Sequence, residues 1–115
     1  MNSQLMLGVV FMLAVFFAFS GVVQAETITG EVVDMTCYLA HGASGSGHSK
    51  CARECVEKGL PVGIKSADGL YLAVGTEHQT ANQLLASRAG QTVTATGEVS
   101  EKDGIRLISI EQIQE

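Results

Sequence analysis

The tetrapeptide Thr-Gly-Glu-Val occurs twice, at Thr29–Val32 and Thr96–Val99, each time within a run that alternates apolar with polar residues and favours β-branched types. Alternation of period two marks a half-buried strand. A glycine inside such a strand weakens it unless the chain must bend or bulge there. Two strands with the same central bend point to a strongly curved sheet, of the kind that closes into a small barrel.

The remaining segments supply the other walls. Thr27–Met35 reads as the first strand, Pro61–Ser66 and Leu70–Val74 as a hairpin around Asp68-Gly69, Asn82–Ala89 as a short helix stopped by Gly90, Gln91–Ser100 as the fourth strand and Ile105–Ile113 as the last. Five strands with a helix between the third and fourth is the order of an OB barrel, in which the first and fourth strands are neighbours. The expected fold is therefore mainly β: a small five-stranded OB-like barrel, with a Cys/His loop–helix insertion at 37–60 after strand 1.

The first 25 residues stand apart. Leu5–Val23 carries no charge, and Val23-Gln24-Ala25 before Glu26 suits signal-peptidase cleavage. The segment 1–25 is read as a signal peptide and 26–115 as the OB-like domain, periplasmic or secreted. The positive start of a usual leader is missing, because Met1-Asn-Ser-Gln has no Lys or Arg. An uncleaved anchor is the alternative, and a membrane is involved only in that case. Seven basic against twelve acidic residues give a net charge of −5, and Phe and Trp are absent after residue 25. Nucleic acid needs a basic footprint and stacking surfaces, so it is excluded as a partner.

All three cysteines and two of the three histidines fall between Cys37 and Cys55, in the pattern Cys37-x3-His41-x6-His48-x2-Cys51-x3-Cys55. Ser49 suits an N-cap and Gly59 a C-terminal stop, so Lys50–Lys58 reads as a helix with Cys51 and Cys55 on one face. Thiolates and imidazoles are ligands for soft or borderline metals, which makes Cys37, Cys51, Cys55, His48 and His41 the candidate ligands for Cu(I) or Zn(II). Asp34 could orient a ligand histidine or simply form the strand-end turn. An odd cysteine count in an exported chain is equally compatible with one bridge, Cys37 to Cys51 or Cys55, stapling the helix to the barrel, or with a thiol-redox role. No Cys-x-x-Cys or Cys-x-x-Cys-His is present, which counts against thioredoxin-type exchange and covalent haem. Gly42–Ser49 has the spacing of a phosphate loop, but His48 occupies the place of the lysine that such a loop requires.

The residues Gly30, Val32, Asp34, Cys37, His48, Cys51, Cys55, Gly59, Pro61 and Gly63 together resemble a pattern found in small exported OB-like bacterial proteins: Gly-x-Val-x-Asp-x-x-Cys, then a His/Cys insertion ending near Gly-x-Pro-Val-Gly. The resemblance covers most of the chain after residue 25. It implies the barrel and the Cys/His unit, and it implies no activity. The expected function is that of a binding module rather than an enzyme, its partner a metal ion or another exported protein.

Overall fold

The computed structural model describes residues 24–114. The expected leader lies outside the described residues except for Gln24 and Ala25. The chain forms β1 (Glu26–Asp34), α1 (Met35–His41), a 3-10 turn at Ser46–His48, α2 (Ser49–Glu57), β2 (Val62–Ser66), β3 (Gly69–Gly75), α3 (Asn82–Leu85) with a 3-10 extension at Ala86–Arg88, β4 (Thr92–Lys102) and β5 (Ile105–Gln114). The strands close in the order β1-β2-β3-β5-β4, and β3 and β5 run parallel. The domain is the five-stranded OB-like barrel that the strand order predicts.

Both copies of Thr-Gly-Glu-Val mark places where closure needs a missing side chain. β1 pairs with β4 over Glu26–Glu31 and with β2 over Gly30–Asp34, so Gly30 is where the strand passes from one neighbour to the other. A Cβ on Gly30 would collide with the Lys65 carbonyl of β2, and one on Gly97 with the Ser109 carbonyl of β5. At Thr96/Gly97 the β4–β5 register shifts, the irregularity by which a strand turns a barrel corner. Asp103 and Gly104 both take positive φ, as a two-residue hairpin turn requires.

Inward positions of the strands supply Val32, Ile64, Val93, Ala95 and Ile108, all essentially inaccessible. Leu85 of α3 and Val56 of α2 complete this cluster from the helices, each fully buried. A side chain of that size contributes about 1.5–3 kcal/mol when withdrawn from water. α2 rests on the 82–88 helical segment and on β1. The Asn82 amide fixes that contact by donating to the carbonyls of Val56 (2.8 Å) and Leu60 (2.7 Å) at the end of α2. Gly59 at φ 97° and the Leu60 N–H to Cys55 O bond end α2 in the left-handed stop expected there.

Three local features differ from expectation. β1 ends at Asp34, and the segment that was expected to be strand end and loop is instead helix α1. α1 buries none of its residues, so it carries no apolar periodicity. Ser49 is the first residue of α2 rather than its cap, because its Oγ donates to the Ser46 carbonyl (2.8 Å) and closes the preceding 3-10 turn. The expected Asn82–Ala89 helix is one α-turn followed by a 3-10 turn.

Candidate metal centre

The site begins where β1 becomes α1. Asp34 is the N-cap of α1: its Oδ1 accepts a hydrogen bond from the Thr36 amide at 3.0 Å. Cys37 stands three residues later, the position whose side chain folds back over the cap residue. Gly42 in the left-handed conformation (φ 67°) stops the helix, its N–H shared between the carbonyls of Cys37 and Tyr38. The rest of Asp34 is committed to the interior. It is 1% exposed, the one buried charged residue among those described, and its Oδ2 has no hydrogen-bond partner.

The Gly/Ser segment that follows is anchored. The Gly45 amide donates to Glu31 Oε2 at 2.9 Å, which folds the segment back on β1. Gly45 (φ 85°) leads into the 3-10 turn, whose last residue is His48. Gly90 receives this turn from the barrel side: a Cβ there would stand 2.7 Å from Ser49 Cβ and 2.9 Å from the Gly45 carbonyl. His48 thereby enters a crevice lined by Val33, Asp34, Ala52 and Gly90. Its Nε2 is buried and without a partner.

Ligand-capable atoms of Asp34, Cys37 and His48 all lie within 4.8 Å of one another. Cys55, on α2, interacts with both Cys37 and Asp34 but stands outside the 4.8 Å group. Neither thiol satisfies Asp34 Oδ2, and a thiol is a weak donor in any case. Cys51 is exposed although it lies one turn from Cys55. Ala52 and Val56 set the buried stripe of α2, and at about 100° per residue Cys51 falls outside it. His41 ends α1 on the surface. Of the five residues singled out from sequence, Cys37 and His48 are brought together, Cys55 borders them beside Cys37, and Cys51 and His41 stand apart. Asp34 joins the group as a direct member, and Glu31 holds the segment that delivers His48. Tyr38 lies beneath the Lys65 ammonium, 5.3 Å from ring centre to Nζ.

The electrostatics of the metal-free group favour protonated thiols. The Asp34 carboxylate and partial burial push the Cys37 thiol from an ordinary value of 9.0 up to about 11, with the neighbouring Cys55 adding to the effect. Burial first, then Asp34, pushes Cys55 up as well. A cation at this point would reverse that balance by supplying the charge that thiolates and carboxylate lack.

Comparison of the chain with protein-family models, with curated proteins and with solved structures finds no match.

What the group can do therefore rests on its own chemistry. Two buried polar atoms without a hydrogen-bond partner, one carboxylate and one imidazole, belong to residues that gather with the Cys37 sulfur. The crevice they share has no room for a water molecule. Buried polar atoms are ordinarily satisfied by protein or water, and neither is available here. The Asp/Cys/His group can hold a metal ion, which is smaller than water and bonds to all three ligand types. A wider groove of about 450 Å3 on the barrel, bordered by Glu77, His78, Glu98 and Leu107, shares no residue with this group, and its titratable residues are exposed.

Proposed function

We propose that this chain is an exported, non-enzymatic binding protein of the small OB-like kind it resembles, and that it holds one Zn(II) ion on Asp34, Cys37 and His48, with Cys55 as the fourth ligand. The observation that carries the proposal is the pair of buried, unpartnered atoms, Asp34 Oδ2 and His48 Nε2, in a crevice too small for water. Tetrahedral zinc with bonds of about 2.0–2.3 Å needs ligand atoms roughly 3.3–3.8 Å apart, a spacing to which atoms within 4.8 Å of one another can close around the ion.

Charge and softness favour Zn(II) over Cu(I). One carboxylate, two thiolates and a neutral imidazole carry three negative charges. A divalent ion leaves one of them uncompensated, and a monovalent ion leaves two, at a site where each buried charge is costly. A carboxylate is also a hard ligand that Zn(II) accepts and Cu(I) avoids. The role proposed for the bound ion is storage, delivery or sensing.

Titration of the reduced, metal-stripped protein against a chromogenic zinc chelator tests the proposal. One Zn(II) per chain is expected. Cys37→Ser and His48→Ala are expected to weaken binding at least 100-fold, with Cys51→Ser and His41→Ala indistinguishable from the parent. Failure of the reduced protein to compete for zinc overturns the proposal. A full loss of binding on Cys51→Ser would overturn the ligand set.

A further inference from the structure

We infer that Cys37 and Cys55 form a thiol pair that is oxidised to a disulfide in exchange for the metal, so that an oxidant empties the site. This rests on the zinc reading above and adds the chemistry that would govern release. The two cysteines come from different elements, Cys37 from the first turn of α1 and Cys55 from α2, and each thiol interacts with the other and with the Asp34 carboxylate. Both are half-buried, within reach of a small oxidant, whereas Asp34 is sealed. Cys51 is exposed and turned away from the pair, so it does not compete geometrically for either partner.

The step balances with a low-molecular-weight disulfide as the oxidant. One cysteine thiolate attacks the disulfide and expels a thiolate, giving a mixed disulfide. The second cysteine sulfur attacks the protein sulfur of that bond and expels the other thiolate. The Cys37 and Cys55 sulfurs lose two electrons, the reagent gains them as two thiolates, and these take protons from solvent. A disulfide sulfur no longer carries the charge that binds zinc. Two of the four ligands vanish together, leaving Asp34 and His48, which are too few to retain the ion.

The test uses zinc-loaded protein carrying Cys51→Ser, in which Cys37 and Cys55 are the remaining cysteines. Oxidised glutathione is added in the presence of a chromogenic zinc chelator, and the bridge is mapped by mass spectrometry. One zinc released per Cys37–Cys55 bridge, with rebinding after reduction, is the expected result. Zinc retained after the bridge has formed overturns the exchange, and so does glutathionylation of both cysteines without a bridge. If the reduced protein holds no zinc at all, the metal reading fails and the exchange with it. Peptide mapping then still scores the bridge on its own, so the two failures are told apart.

Discussion

The Glu31 carboxylate and the Gly45 amide are joined by a 2.9 Å hydrogen bond that bridges β1 to the Gly/Ser segment three residues before His48. Glu31 belongs to the first Thr-Gly-Glu-Val. The corresponding Glu98 of the second copy is simply exposed. Identical sequence words thus serve one shared purpose, the bend at glycine, and one private purpose, the placement of a histidine.

Removing that bond should therefore affect the site and spare the barrel. Glu31→Ala is expected to lower zinc affinity about 10–100-fold, the range seen for residues that orient a ligand. The far-ultraviolet circular dichroism of the metal-free protein should be unchanged. Glu31→Gln keeps an acceptor oxygen and should recover most of the loss. Equal loss in both variants would show that charge, and not the bond to Gly45, is what matters.

Asp34 has two tasks that substitution can separate. Asn caps helices as well as Asp does, so Asp34→Asn should keep α1 and the denaturation midpoint of the metal-free protein while cutting zinc affinity. Asp34→Ala removes the cap as well and should cost an additional ~0.5–2 kcal/mol of stability. Urea titrations of both variants, with and without zinc, distinguish the tasks. A large stability loss in Asp34→Asn alone would contradict the assignment of Oδ1 to the cap.

The thiols give the metal-free protein a defined alkaline weakness. Cys37 is raised from 9.0 in an ordinary setting to about 11 in the fold, so between these values the folded state holds a proton that the unfolded chain releases. Stability from this group is complete below about pH 9 and declines as pH rises through about 11. Cys55, raised in the same direction, adds to the decline. Denaturant midpoints from pH 8 to 11 should fall, and Cys37→Ser should flatten the curve. Zinc binding should release protons and tighten as pH rises toward 9.

Gly90 offers a test from the barrel side. It has a positive φ of 78° and admits no Cβ without moving Ser49 or the Gly45 carbonyl. Gly90→Ala is expected to destabilise the fold by at least the ~1–2 kcal/mol of a left-handed alanine. It should also weaken zinc binding by displacing His48. Stability and affinity measured on the same preparation check both effects. An affinity loss without any stability loss would contradict the steric account.

The barrel was readable in the sequence because its determinants are local and repeat: alternation, Gly30 and Gly97 at the bends, Asp68-Gly69 and Asp103-Gly104 at the turns. Three of the four proposed ligands were readable for another reason, since Cys37, His48 and Cys55 are of types that draw attention wherever they cluster. Helix α1 was not, because it is two turns long and none of its residues is fully buried, which leaves little periodic trace. Its one signal was Asp34 at the cap, which reads equally well as a strand-end turn. The i, i+4 spacing of Cys51 and Cys55 showed that they share half a helix surface, but which edge of that half turns inward depends on Ala52 and Val56 packing against β1 and the 82–88 segment. Ala52 is small enough to be overlooked as core. The Glu31 to Gly45 bond spans 14 residues and has no local signature.

Each strand of the closed ring has a neighbour on both sides, so no whole strand is left as a free edge to recruit another chain. The Cys/His segment is spliced between two of those strands without contributing a rung to the ladder. Its 3-10 turn can therefore adjust as ligands exchange while Val56 keeps α2 in the core and the strand-to-strand pairing stays intact. In a crowded compartment that arrangement separates resistance to aggregation from responsiveness: the former belongs to the ring, the latter to the segment it carries.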